Sequence, residues 1–256
     1  MIQSVTLIGA GNLAVQLGKT LHRKGIDVLQ VYSRTAGSAQ GLASIIDAGW
    51  TTDLQKVDLS ADLIIISVKD DAIESVLNQI FRTDKPIVHT SGSITMNLLG
   101  KYASSYGVFY PLQTFSKMRN IDFTDIPICL EASSNAVMLE LKTFAAKLSR
   151  NIEEVTTEKR RFLHLAAVFA CNFVNHCYFL GEQVLEKENL PFDLLKPLIR
   201  ETAEKVADMS PFDAQTGPAK RYDLSIIEKH FKLLNDNDVA KIYQIMTESI
   251  HKTHKI

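Results

Sequence analysis

Cysteine is scarce: the 256 residues hold three, Cys129, Cys171 and Cys177. They form no CxxC pair and no metal-ligand spacing, which excludes a zinc ribbon, a thioredoxin-like motif and a disulfide framework. An odd number of thiols fits a reducing compartment. Charge of one sign is lacking too. Lys and Arg number 28 against 29 Asp and Glu, a formal net charge of −1. No basic stripe is available to hold nucleic acid or an anionic membrane surface, so neither is an expected partner. The N-terminus lacks the basic, apolar and small-residue succession of a secretory signal and reads as a strand; the expected location is the cytoplasm. Among the histidines only His251 and His254 stand at a close spacing, near the C-terminus, and no metal is expected.

Long apolar runs are also few. Leu163 to Leu180 is nearly long enough to span a bilayer. It contains His164, Asn172, Asn175 and His176, which are costly in lipid. The run therefore predicts a helix buried at a domain or subunit interface, and a homodimer through it.

What is present is an alternation of strands and helices. Apolar runs predict strands at Val5–Ile8, Val28–Tyr32, Leu63–Val68, Ile87–Thr90, Gly107–Tyr110, Pro127–Leu130 and Ile152–Val155. Helical spacing falls between them, at Asn12–Lys24, Ala39–Ala48, Ala72–Phe81 and Ser133–Leu148. Such alternation implies a parallel sheet covered on both faces. After about Thr157 no strand is convincing. Glu158–Lys187 reads as one long helix, followed by Pro191–Asp208, a loop over Ser210–Tyr222, and helices at Leu224–Leu234 and Asp238–Lys252. The fold class is thus α/β: a Rossmann-type, mostly parallel sheet in residues 1–156, followed by a smaller all-helical domain in residues 157–256.

The segment Gly9-Ala10-Gly11-Asn12-Leu13-Ala14 follows a strand and opens a helix, the required context of the GxGxxG/A dinucleotide fingerprint. Gly9 permits the turn, Gly11 admits the pyrophosphate, and Ala14 lets helix and strand pack closely. Amides of Asn12 and Leu13 at the helix start offer donors to the anion. The second strand ends Ser33-Arg34-Thr35, with no acid to hold a ribose 2′-hydroxyl. Arg34, with hydroxyls of Ser33 and Thr35, suits a 2′-phosphate, so NADP(H) is the expected cofactor; the alternative is a solvated surface arginine. Ligands bind beyond the carboxyl ends of such strands. Val68, Thr90, Ser91 and Gly92 should flank the nicotinamide half. His89, Tyr110, Gln113 and Thr114 stand at strand ends as candidate substrate contacts, or as structural residues.

Five segments, GAGNLA, HTSGS at 89–93, YPLQTF at 110–115, LHLAAVFACNF at 163–173 and TGPAKRYD at 216–223, resemble a bacterial family of NADP oxidoreductases, some of them called deazaflavin-dependent. The resemblance covers nearly the whole chain. It implies a Rossmann-like domain followed by a helical domain like that of 6-phosphogluconate dehydrogenase. Pyrroline-5-carboxylate reductase and the β-hydroxyacid dehydrogenases are more distantly similar. In that wider group the helical domain builds the substrate site and the dimer interface. β-Hydroxyacid dehydrogenases carry a Lys four residues before an Asn on the first long helix of that domain. Here Asn172 fits the Asn position but Val168 stands where the Lys would be.

A substitute proton donor is therefore required. At uniform helical periodicity His164, Asn172 and Asn175 form one polar stripe, either a cleft wall or a hydrogen-bonded interface network. His164 is the candidate acid and Asn172 the substrate holder. Lys220, with Thr216 and Arg221, forms a second cluster, suited to an anionic group or to a solvated turn. Lys220 is the other candidate for the missing lysine. The expected activity is NADP(H)-dependent hydride transfer to or from a small polar substrate held between the domains: an imine, a carbonyl acid or a deazaflavin. The alternative is a non-catalytic NADP(H)-binding sensor or assembly protein.

Overall fold

The computed structural model describes residues 1–80 and 82–255. It forms two compact units, Met1–Cys171 and a second beginning at Asn172.

The first unit is built on eight strands: β1 (Ser4–Ile8), β2 (Asp27–Tyr32), β3 (Gly49–Thr51), β4 (Leu63–Ile66), β5 (Ile87–His89), β6 (Tyr106–Pro111), β7 (Ile128–Ala132) and β8 (Ile152–Glu154). Their spatial order is β3-β2-β1-β4-β5-β6-β7-β8. All neighbours are parallel except β6 and β7. The direction of winding reverses between β1 and β4, which opens a crevice beyond their carboxyl ends. Helices α1 (Asn12–Arg23), α2 (Ala36–Ile46), α3 (Ile73–Leu77) and α4 (Asn135–Ala145) supply the crossovers, and α5 (Thr157–Ala167) ends the unit.

Strand β4 shows why the sequence folds this way. All of Leu63, Ile64, Ile65 and Ile66 are buried. Successive side chains point to opposite faces. Leu63 and Ile65 join one core with α1, α2 and α4, while Ile64 and Ile66 join a second with α3.

Two expectations for this unit change. Strand β3 has only three residues, too short to give a period, and pairs at the sheet edge with β2. The expected Ala72–Phe81 helix is a 3₁₀ turn at Asp70–Ala72 followed by the short α3, capped at Asn78. β-Branched Ile73 and Val76 and the following Asn78 favour no long helix. The expected end, Phe81, lies outside the described residues.

The second unit holds α6 (Val174–Glu186), α7 (Lys196–Asp208), α8 (Pro211–Ala214), α9 (Pro218–Arg221), α10 (Leu224–Leu233) and α11 (Asn237–His254). The stretch expected as a loop, Ser210–Tyr222, contains two short helices, α8 and α9. Each starts on a proline, whose fixed φ suits the first helical position.

The long helix expected over Glu158–Lys187 is interrupted. Between α5 and α6, Val168–Phe173 is a π-helix, which fits an extra residue into the turn. The stripe of His164, Asn172 and Asn175 presumed an unbroken 3.6-residue period, and that premise fails here. Burial fails too. Phe162 is 76% exposed, and Leu165, Asn172, Asn175 and Phe179 are also exposed. The run Thr157–Glu186 has the length and apolarity of a membrane span by composition, and its apolar window is not buried within the chain.

Candidate active site

The turn from β1 into α1 sets the site. Gly9 has φ +127°, and a Cβ there would stand 2.0 Å from the Ser67 carbonyl oxygen. Only glycine lets β1 run this close to the end of β4. Its N–H donates to the Tyr32 carbonyl at 2.8 Å, tying the loop to β2 as well. Gly11 caps α1 with no side-chain bond to the first-turn amides. A Cβ on Gly11 would meet no protein atom within 4 Å. The glycine therefore faces open space beside unpaired helix-start N–H groups, an anion cradle. Ala14 is fully buried against the sheet.

That space is a cavity of about 810 Å³ lined by Gly9, Gly11, Asn12, Leu13, Ser33, Arg34, Val68, Thr90 and Ser91 among others. The structure thus brings nearly all the expected cofactor residues onto one surface. Arg34, Thr35 and Ser38 stand at the β2 end, where a 2′-phosphate would be met. Sequence reasoning passed over Ser38 and Lys69, both of which line the cavity. Ser38 had a usable signal, four residues beyond Arg34. The donors, the cation and the glycine cradle fit a dinucleotide phosphate.

Gly92 lines another surface. A Cβ on it would stand 2.7 Å from Cγ and Nδ1 of His164. The cavity loop therefore runs directly against the His164 ring. The Tyr110 hydroxyl is 3.0 Å from His164 Nδ1, and the two rings meet edge to face at 6.0 Å. Burial raises the Tyr110 phenol to about 12, so it stays protonated. Two candidates 54 residues apart in sequence become one pair. In the neutral tautomer with its proton on Nε2 the hydroxyl donates to Nδ1; with a proton on Nδ1 the ring donates to the hydroxyl oxygen.

His89 is fully buried and accepts the Ser91 N–H at Nδ1, at 3.2 Å. Burial, then the nearby Arg160 charge, lowers its pKa to about 4. It is a neutral support for the loop across the physiological range. Gln113 and Thr114 are exposed and, among the described residues, are not part of the cavity lining; the Gln113 side chain accepts the Thr114 N–H.

Asn172, Thr216, Lys220 and Arg221 belong to the second unit. Asn172 is exposed in the π-helical segment. Lys220 and Arg221 end α9, and Thr216 is exposed in the turn before it.

Sequence reasoning missed a buried pair. Arg160, fully buried on α5, donates to Glu131 of β7 and, at 2.5 Å, to the Ile94 carbonyl. Arg160 is four residues before His164, a spacing that places both on one helix face, and this was the available signal.

Comparison with known proteins agrees with this geometry. The family described as NADP oxidoreductase coenzyme F420-dependent matches residues 4–91, and a domain of unknown function, DUF2520, matches residues 126–250. No curated protein matches the chain significantly. Among solved structures, "putative NADP oxidoreductase BF3122 from Bacteroides fragilis" is 46% identical over 98% of both chains, with a TM-score of 0.93. Protein TM1727 from Thermotoga maritima is 22% identical over 98% of this chain and all of its own, with a TM-score of 0.80. An imine reductase from Myxococcus stipitatus in complex with NADP+ shares the fold, at 15% identity, 98% and 94% coverage and a TM-score of 0.69. With its resemblance to the first of these extending over nearly its full length, the chain belongs to the same NADP oxidoreductase family as the Bacteroides fragilis protein, and NADP(H) is its cofactor.

Proposed function

We propose that this protein reduces a small carbonyl or imine substrate with NADPH, and that His164, backed by Tyr110, supplies the proton. The observation that carries this reading is the contact of the His164 ring with Gly92, on the loop whose Thr90 and Ser91 line the cofactor cavity. Bound NADPH would supply the hydride. The protein's task is then to deliver a proton to the oxygen or nitrogen that gains charge. His164 Nε2 is the atom for that delivery, since Nδ1 is held by Tyr110. Gly11 and the first amides of α1 hold the pyrophosphate, Arg34 with Ser33 and Thr35 the 2′-phosphate, and Val68 packs beside the nicotinamide.

Solved neighbours titled imine reductase and reductive aminase make C=N substrates the first to try. A deazaflavin is the second reading, favoured by the coenzyme F420 description of the matching family. That match spans residues 4–91, the cofactor half, and leaves out Tyr110 and His164. For the second unit we propose Asn172 as a substrate holder, and Lys220 with Thr216 and Arg221 as an anion site. A homodimer would cover the exposed apolar face of α6.

The test is a titration with NADPH and NADH followed by nicotinamide fluorescence, then NADPH oxidation with small imines, oxoacids and a deazaflavin. NADPH binding with turnover of an imine or carbonyl, lost in His164→Ala, is expected. NADPH binding with no turnover of any of these would favour a non-catalytic sensor.

A further inference from the structure

The Glu131–Arg160 pair is costly. Arg160 is wholly buried and Glu131 nearly so, and each charge taken from water needs full compensation. The compensation is almost complete, Arg160 Nε being left without a hydrogen-bond partner among the described residues, and one arm of it reaches the loop at Ile94. Glu131 accepts the Thr157 N–H at 2.9 Å, the Thr157 hydroxyl at 2.8 Å, and one arm of Arg160. The other arm of Arg160 donates to the Ile94 carbonyl. Arg161 Nε donates to the Ser93 carbonyl at 2.9 Å. From the opposite side, Ser91 Oγ accepts the N–H groups of Ser93 and Ile94, both at 3.0 Å.

We infer that the Glu131–Arg160 pair is a positioning device that fixes the His164–Tyr110 pair against the cofactor loop. This rests on the proton-donor reading of His164. Tyr110 and Glu131 stand on the adjacent strands β6 and β7, while Arg160 and His164 stand one turn apart on α5. The ion pair ties α5 to β7, its second arm ties α5 to the loop, and His164 is thereby set over Gly92 within reach of Tyr110. A greasy contact would hold α5 to the sheet equally well but would leave its rotation free; a forked, charge-assisted bond fixes angle as well as distance.

Three variants test it: Arg160→Lys, which keeps the charge and loses the fork; Glu131→Gln, which keeps a Thr157 acceptor and loses the charge; and the apolar double change Glu131→Leu with Arg160→Met, which removes the need for compensation. Each is compared with wild type by thermal unfolding, by NADPH affinity, and by the ring nitrogen shifts of His164 in the free protein. The expected result is that Arg160→Lys and the double variant disperse the His164 ring signals between tautomers and weaken NADPH ~10-fold, even where the melting temperature is kept. Unchanged His164 signals and NADPH affinity in every variant that folds, with only the melting temperature moved, would make the pair a plain structural staple and overturn the inference. Wild type failing to bind NADPH would sink the cofactor reading alone, because the nitrogen shifts still report whether the pair sets His164.

Discussion

The His164 ring occupies the space in which a side chain at residue 92 would stand, since a Cβ on Gly92 falls 2.7 Å from its Cγ and Nδ1. A methyl group there must push the ring, the helix or the loop. Overpacking of this kind costs about 1–3 kcal/mol. Gly92→Ala should therefore lower the unfolding midpoint in denaturant. In His164→Ala/Gly92→Ala the two closest contacts, with ring Cγ and Nδ1, are gone and only the one with the Cβ of residue 164 at 2.9 Å remains, so the double variant should be more stable than the sum of the two single effects requires. Strict additivity in that cycle would show that the two residues are not in contact.

The two glycines of the phosphate loop should separate stability from binding. Gly9 combines a positive φ with a 2.0 Å approach to backbone. Gly9→Ala should destabilise the protein by about 2–4 kcal/mol, from strain plus steric conflict. Gly11 has ordinary φ and nothing near its Cβ position. Gly11→Ala should leave the melting curve within about 1 kcal/mol of wild type while NADPH binding falls at least ~10-fold. Parallel losses in both variants would mean that Gly11 is a structural residue and the cavity is not the cofactor's.

This contrast explains what the sequence could disclose. The glycine loop is local: strand, turn and helix start are contiguous, so the motif is legible within six residues, although the backbone that Gly9 approaches belongs to Ser67. The alternation of β1 to β5 with α1 to α3 is similarly local. The Tyr110–His164 and Glu131–Arg160 contacts join residues 54 and 29 positions apart. Their members are visible one at a time, but only the sheet order puts β6 and β7 beside α5. The stripe on the long helix misled because periodicity assumes a constant 3.6 residues per turn, and the π-helix at Val168–Phe173 departs from it. Val168, where the resemblance to the β-hydroxyacid dehydrogenases implies a lysine, is what makes another proton donor necessary to the proposal.

Acid should find a weak point in His89. Its folded pKa is about 4, lowered mainly by burial, against about 6.5 in an unfolded chain. Between those values the unfolded state binds the extra proton, so stability falls as pH drops from about 6.5 to about 4 and levels off below. The difference amounts to about 3 kcal/mol from this one group. Denaturant unfolding of wild type and His89→Gln between pH 7 and 4 measures it. The variant should show a shallower pH dependence through that window. Identical slopes would place the acid sensitivity in other groups.

Arg34 should decide between the two nicotinamide nucleotides. It lines the cavity at the end of β2 with Ser33, Thr35 and Ser38, with no acid at the position where a ribose 2′-hydroxyl would be held. A charge-assisted bond from guanidinium to phosphate contributes about 1.5–3 kcal/mol. Arg34→Ala should thus weaken NADPH by roughly 10- to 100-fold and leave NADH almost untouched, because NADH offers Arg34 no 2′-phosphate. Arg34→Asp should go further: its carboxylate repels the phosphate and can accept the 2′-hydroxyl, so preference should move toward NADH. Fluorescence titration of both nucleotides against both variants gives the four affinities needed. Equal weakening of NADPH and NADH would mean that Arg34 contacts a part the two share, such as the adenine, and the selectivity would then have to come from the hydroxyls of Ser33, Thr35 and Ser38.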